Sequence, residues 1–355
     1  MTLDELSKIV TTDFINEILS ARNIHAPQVS LLGSKAAEFP FLVDGASNNA
    51  LFLDLDIASI DHRIPNELVL KAGNNAGGTT QREILFYNLL EKKGGVPEVP
   101  ACYATGWFQE LDLGVLLLEK VAADAIVFEV PVEKHLEHYQ RAIEILADLH
   151  AHWWGDSNIG VGTFEPLWTN DLLSAATAWA KNAQLELVRS GEVSKRDAKI
   201  LDIALSIAQP LLSERAAQAN LCVNHGDAGL WNFVMDQHDP TLVKLVDFQM
   251  WCVAPPAWDI GYMIYLLWPT EFRSRFGARM VKAYLDRLSE RGIIYSQNDF
   301  FNDLRICIVG LITLNLANYH LGIWRHDQCS DRLTWILNAY RELECDRFLD
   351  GQRIT

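Results

Sequence analysis

Basic residues are scarce in this chain: 30 lysines and arginines stand against 46 aspartates and glutamates, a formal charge of -16 at pH 7. The sequence therefore lacks the basic footprint that nucleic acid or an anionic membrane surface requires, and neither is expected as a partner. Cys-x-x-Cys spacing is missing too. Cys102, Cys222, Cys252, Cys307, Cys329 and Cys345 are scattered, which suggests neither a zinc site nor a disulfide framework and makes a reducing cytoplasm the expected compartment. The start, Met1-Thr-Leu-Asp-Glu-Leu-Ser-Lys8, has no basic residues leading into an apolar run, so no signal peptide is expected. The longest apolar stretch, Ile306 to Ala317, is too short to span a bilayer and carries Thr313 and Asn315; a buried helix explains it. Internal repeats and low-complexity tracts are absent.

What is present is ample apolar content, 49% of 355 residues, enough for about two domains of roughly 150 residues each. Thr2-x-x-Glu5 has the form of a capping box opening a helix, and a second short helix runs through Phe14, Ile15, Ile18 and Leu19. Residues 1–37 are thus expected to be a helical appendage. Short β-like runs follow at Phe39–Val43, Ala50–Ile57 and Glu67–Lys71, then a helix from about Thr80 and strands around Ala101–Thr105 and Leu113–Glu119. A β-meander with one helix is expected over 38–118, a crossing at 119–121, and a mainly helical region over 122–355. Helices are placed near 133–154, 169–190, 194–217, 256–268, 271–291, 298–320 and 328–347.

The chemistry concentrates in Val223-Asn-His225-Gly226-Asp227-Ala-Gly-Leu-Trp231-Asn232-Phe-Val-Met-Asp236 and the following Val246-Asp247-Phe248-Gln249. Apolar residues flank a turn at Gln237–Thr241, so residues 223–249 are expected to hold a hairpin. Pairing about a centre between Asp239 and Pro240 sets Asn232 opposite Asp247. An amide oxygen and a carboxylate converging on one point are hard ligands suited to Mg2+ together with substrate phosphates and water. Asp227, just outside that point, is placed to take a proton from an attacking hydroxyl. A metal hydrolase using His225 and Asp227 with His150 or His152 fits less well, because helix positions two apart do not share a face. Two roles stand open for Glu83: capping its own helix through Thr80-x-x-Glu83, or reaching back to hold the ammonium of Lys71 against nucleotide phosphates. The loop Asp44-Gly45-Ala-Ser47-Asn48-Asn49 has small residues able to bring backbone N–H groups and the Ser47 hydroxyl against phosphates, although an ordinary hairpin turn has the same composition.

In order, strand-borne Lys71, helix-borne Glu83, an apolar strand ending at Glu119, His225-Gly226-Asp227-x-x-x-x-Asn232 and Asp247-Phe-Gln resemble the aminoglycoside phosphotransferase and choline kinase group of small-molecule kinases. The tail with Pro255-Pro256-Ala-Trp-Asp259-Ile-Gly-Tyr looks closest to its ecdysteroid-kinase-like branch, and Leu146-Ala-Asp-Leu-His150-Ala matches a helix of that family. The resemblance spans roughly residues 38–270. It implies an α+β, bilobal protein-kinase-like fold with a small antiparallel β-sheet N-lobe and a larger, mainly helical C-lobe. It further implies ATP- and Mg2+-dependent phosphorylation of a hydroxyl on a small molecule.

Position by position, the resemblance makes Asp227 the catalytic base, Asn232 and Asp247 the Mg2+ ligands, Lys71 the partner of the α- and β-phosphates and Glu83 its anchor. Backbone groups near Glu119 and Val121 would hold adenine, and Ser47 and Asn48 would cover the phosphates. His225 and Asp259 are expected to brace the loop. A protein kinase is disfavoured by the short interval between Asp247 and Pro255 and by Gln249 in the glycine position of Asp-Phe-Gly. A nucleotide-binding pseudokinase is disfavoured by the joint presence of Lys71, Asp227, Asn232 and Asp247. Most of the tryptophans beyond the crossing are expected in the core, while Trp231 and Trp251, nearest the chemistry, are the expected acceptor contacts.

Overall fold

A computed structural model describes residues 2–20, 29–36, 50–59, 62–74, 79–121, 125–126, 131–156, 170–236 and 238–346. The first half of the described chain runs through helices α1 (Leu3–Ile9) and α2 (Thr12–Ser20), strands β1 (Val29–Ala36), β2 (Ala50–Ser59) and β3 (Glu67–Gly73), helix α3 (Thr79–Lys93), and strands β4 (Cys102–Phe108), β5 (Leu113–Glu119) and β6 (Ala125–Ile126). Helices α4 (Leu136–Trp153), α5 (Asn170–Ser190) and α6 (Lys195–Ala216) follow, then strands β7 (Cys222–Asn224), β8 (Phe233–Asp236), β9 (Val243–Leu245) and β10 (Cys252–Ala254). Helices α7 (Ala257–Ile260), α8 (Thr270–Glu290), α9 (Gln297–His320) and α10 (His326–Glu342) complete it. Two compact units divide the described residues: the first takes those up to 126 together with 231–251, the second 131–230 and 252–346.

In the first unit, five antiparallel strands lie in the order β1-β2-β3-β5-β4. Side chains alternate between faces along a strand, and β3 shows what this does. Leu68, Leu70 and Ala72 join Leu53, Leu55, Val115 and Leu117 in a core cluster completed by Leu6, Ile15, Ile18 and Leu19. Lys71 points the other way, in register with Phe52 on β2 and Leu116 on β5. That second face carries α3: a methyl group on Gly114 would lie 2.5 Å from Cγ2 of Thr80, so only glycine lets the start of α3 come this close. Helices α1 and α2 are therefore packed into the sheet's core rather than forming an appendage. Thr2 and Glu5 do form the expected capping box. Strand β1 occupies a stretch expected to be helical, and the expected strand Phe39–Val43 lies outside the described residues.

The expected hairpin is present in the same unit as β8 and β9, with β6 on the other side of β8. Its register differs by one residue from the expected pairing. Phe233 pairs with Leu245, and the Asn232 carbonyl accepts from Val246 N–H at 2.9 Å, so Asn232 faces Val246 and not Asp247. The cause lies in the turn. Asp236 Oδ1 accepts from the amides of His238 and Asp239, both at 2.8 Å, and Leu242 N–H closes on the Asp239 carbonyl at 3.1 Å, which centres the reversal on Asp239.

The second unit is helical apart from the antiparallel pair β7–β10. Its helices keep closely to the expected ranges; Ser194 and Ser296 cap α6 and α9 by accepting from the amides three residues on. Helix α9 is buried all round, as an apolar helix at the centre of a core must be. By length and composition alone it could cross a membrane, but 78% of its most apolar stretch is buried inside the unit. One methyl at Gly310 would stand 2.9 Å from the Trp258 ring, so α7 crosses α9 at close range. Helix α7 then passes into a π-helical segment, Gly261–Leu266, a form that often marks functional positions.

Candidate active site

The residues singled out by the sequence fall into two sets, one in each unit. In the first unit, Lys71 Nζ lies 2.6 Å from Glu83 Oε2 and 2.7 Å from Asp247 Oδ1. The open question over Glu83 is thereby answered. Helix α3 starts at Thr79, Thr80 Oγ1 donates instead to the Asn74 carbonyl at 2.8 Å, and the Glu83 carboxylate is spent on Lys71. Burial pulls the Lys71 ammonium toward deprotonation, but Asp247 and Glu83 together outweigh it and hold its pKa above the ordinary lysine value. Glu83 is pushed up by burial and by the nearby Asp247 charge, against the opposing pull of Lys71.

Local packing explains why Asp247 reaches this point. Its backbone is left-handed, φ 67°, which a non-glycine residue adopts at a cost of about 1–3 kcal/mol. The turn after it is pinned to α3: the Phe248 ring stacks on Phe86 with centroids 3.8 Å apart, and Trp251 Nε1 donates to the Arg82 carbonyl at 2.6 Å. Strand pairing would send neighbouring side chains to opposite faces, so the left-handed turn re-aims Asp247 where the one-residue register shift would have misdirected it. Its side chain stays 41% exposed while those of Lys71 and Glu83 are almost wholly buried. A carboxylate anchored through one oxygen yet open to solvent is a donor of the kind Mg2+ takes, and the amide of Asn232 at the head of β8 is a second hard oxygen donor. Among the described residues no cluster of three or more His, Cys, Asp or Glu suits a metal held by protein ligands alone.

Other positions in the first unit are less directly engaged. Glu119 uses its amide on the Ala101 carbonyl at 2.8 Å and its carboxylate on Lys244 Nζ at 3.1 Å. Val121 is half-buried just beyond β5. Ser47 and Asn48 lie outside the described residues. Trp231 is half-buried, whereas Trp251 is 2% exposed, with its indole N–H and ring committed to α3.

In the second unit, the loop leaving β7 is gripped by one buried carboxylate. Asp259 Oδ2 accepts from His225 N–H at 2.7 Å and Oδ1 from Gly226 N–H at 3.0 Å, an arrangement that Gly226 permits with φ 81°. His150 Nε2 is 3.1 Å from the same Oδ2, and its Nδ1 is 2.7 Å from the Tyr284 hydroxyl. His150 is thus a buried brace for Asp259, and fully buried His225 braces the loop in turn, its Nδ1 accepting from Asp227 N–H at 3.3 Å. Asp227 itself is half-buried, and Oδ1 accepts a 2.6 Å hydrogen bond from the Tyr262 hydroxyl. Sequence reasoning assigned Asp259 to the loop but missed Tyr262. The available signal was the spacing Asp259-x-x-Tyr262, which puts both side chains on one helical face.

Comparison with known proteins bears on the family and the fold. The model of the phosphotransferase enzyme family, APH, matches residues 41–293. Curated proteins give no match. Similar solved structures include spectinomycin phosphotransferase in complex with ADP and spectinomycin, with 11% identity over 95% of this chain and 99% of that one and a TM-score of 0.52. Choline kinase from Cryptosporidium parvum is 11% identical over 90% of this chain and 91% of its own, TM-score 0.52. Ethanolamine kinase from Plasmodium vivax is 11% identical over 87% and 83%, TM-score 0.55. These likenesses establish a protein-kinase-like α+β fold, with an antiparallel sheet and a mainly helical remainder.

Proposed function

The chain belongs to the phosphotransferase enzyme family, and from that premise we propose that it moves the γ-phosphoryl group of ATP, with Mg2+, to a hydroxyl group on a small molecule. The observation that carries this reading is the Lys71 ammonium held between Glu83 and Asp247 at 2.6 and 2.7 Å. A buried cation kept charged by two carboxylates, one of them open to solvent, is suited to receiving phosphate oxygens.

In this reading Lys71 pairs with the α- and β-phosphates and Glu83 keeps it in place. Asn232 and Asp247 present hard oxygen donors to the metal, which when bound neutralises charge on the transferring phosphoryl group. Asp227 accepts the acceptor's hydroxyl proton as that oxygen bonds to phosphorus and the bond to the ADP oxygen breaks. Since Asp227 and Asn232 are five residues apart on one loop, the base and a metal ligand are linked by a short tether. Backbone at Glu119 and Val121 is proposed to hold adenine. At Glu119 this falls to groups other than its sheet-bonded amide. Ser47 and Asn48 are proposed phosphate contacts, and Trp231, in place of the packed Trp251, the aromatic contact for the acceptor.

A small acceptor is supported over a protein substrate by the shortness of the segment after Asp247. Residues 248–254 are taken up by one tight turn and β10, and α7 begins at Ala257, which leaves no room for a long activation segment. The test is a screen of hydroxylated metabolites for acceptor-dependent ADP release. The expected result is Mg2+-dependent turnover with at least one small alcohol, abolished in Asp227→Ala. Nucleotide binding without turnover in any condition would instead identify a pseudokinase, and unchanged ATP consumption in Asp227→Ala would remove the base assignment.

A further inference from the structure

Helix α7 and the π-helical segment behind it touch the 225–227 loop at two places. Asp259 receives the His225 and Gly226 amides, and three residues later Tyr262 donates its hydroxyl to Asp227 Oδ1 at 2.6 Å. The first contact fixes the backbone of the loop; only the second reaches the side chain that is to do the chemistry. We propose that Tyr262 is the positioning residue of the base: its hydroxyl holds Oδ1 of Asp227 and so fixes the orientation in which the carboxylate meets the acceptor hydroxyl. This rests on the reading of Asp227 as the base.

Three features make Tyr262 suited to the task. It is 2% exposed, so water does not compete for its hydroxyl. Its ring is held from behind by Trp324, centroids 6.5 Å apart, and Trp324 is itself covered by the Arg332 guanidinium at 4.1 Å. A side chain locked by packing can hold a carboxylate to the fraction of an ångström that proton transfer demands. Burial first, and the Asp227 charge next, keep the phenol well above its ordinary pKa, so it remains a donor and does not take the proton itself. A carboxylate offers about four lone-pair sites on its two oxygens; the Tyr262 hydroxyl takes one of them and restricts how the group can turn to present the rest. The acceptor hydroxyl is then discriminated by where it lies relative to the held carboxylate, which makes Tyr262 a determinant of which hydroxyl of a polyol is phosphorylated.

The experiment uses the full chain with Tyr262→Phe, which keeps the ring and removes the O–H. Infrared difference spectra with 13C-carboxyl aspartate, assigned by the band lost in Asp227→Asn, report the Asp227 carboxylate with no acceptor present. Its antisymmetric stretch is expected to rise in frequency in Tyr262→Phe, and to fall in protein made with 3-fluorotyrosine, whose phenol is the stronger donor. The fluorinated protein also covers the case in which Tyr262→Phe does not fold. With an acceptor from the screen, kcat should fall about tenfold to a hundredfold, while KM for Mg·ATP stays within about twofold, since uniform binding is untouched. An Asp227 band that moves in neither protein overturns the proposal, as does a loss of turnover carried by KM alone. If Asp227→Asn leaves turnover intact, the base reading fails, and the infrared bands still show separately whether Tyr262 orients this carboxylate.

Discussion

At the scale of single residues, the buried ion triad dictates an order of sensitivities. Lys71→Met leaves Glu83 and Asp247 facing each other without a cation, a like-charge contact in a buried setting. Its expected cost is about 3 kcal/mol. Glu83→Gln leaves Lys71 balanced by Asp247, and the expected cost is about half that. Chemical denaturation of both variants checks the order, and a Glu83→Gln protein less stable than Lys71→Met contradicts it. At Asp247 the backbone matters as much as the charge. Asn tolerates the left-handed conformation better than Ala does, so Asp247→Asn should fold while losing about 2 kcal/mol of Mg2+-dependent ADP binding, roughly thirtyfold by calorimetry. Retained affinity in that variant would show that the metal does not use Asp247.

At the scale of elements, two packing contacts in the second unit give measurable predictions. Asp148 on α4 accepts from Arg287 at 2.8 and 2.9 Å and from Arg291 at 2.7 Å. Burial works to raise its pKa, but the two guanidinium groups prevail and hold the carboxyl below its ordinary range. A carboxyl depressed on folding stabilises above its unfolded pKa of about 4, and that stabilisation is lost as pH falls through the folded value. Asp148→Asn should therefore flatten the decline in stability below about pH 4, at a cost near neutral pH of about 2 kcal/mol, measured by urea melts across pH. Gly310→Ala should cost about 1–3 kcal/mol, because the new methyl meets the Trp258 ring and Leu212; an unchanged melting temperature would mean the α7–α9 crossing relaxes freely.

The elements also show what could be read from the residues and what could not. Helix ends marked by Ser194 and Ser296 were legible because capping is local. Strand β1 was not, since Val29-Ser-Leu-Leu-Gly-Ser-Lys-Ala36 is exposed over most of its length and carries no alternation of apolar residues. The hairpin was legible, but its register turned on an Asp236 side chain bonding into the turn, which counting residues does not reveal. Lys71 and Glu83 were found as residues, and their pairing became certain only in three dimensions. Tyr262 was missed because its partner lies 35 positions away, and the spacing Asp259-x-x-Tyr262 marks a shared helical face without showing what that face touches.

At the scale of the whole molecule, the residues proposed to hold nucleotide and metal, Lys71, Glu83, Asn232 and Asp247, all belong to the first unit. Mg·ADP at about a hundred times its Kd should stabilise that unit by about 2.7 kcal/mol. Hydrogen exchange should show the added protection in β3, α3, β8 and β9, and protection confined to α5 and α6 would count against the proposed nucleotide site.

The return of residues 231–251 to the first unit has a further consequence for how the protein is made. Phe86 is covered by Phe248, Lys71 is neutralised in part by Asp247, and the Glu98 carbonyl takes the Leu245 amide. None of these partners exists while the ribosome has delivered only the five-stranded sheet. The nascent sheet must therefore wait, with a buried charge incompletely balanced and an aromatic face uncovered, until more than a hundred further residues have emerged. Such an interval is when a chaperone finds its substrate. Arrested chains ending at residue 126 should accordingly be protease-sensitive, and chains extended past residue 251 by an exit tunnel's length should be the first to resist.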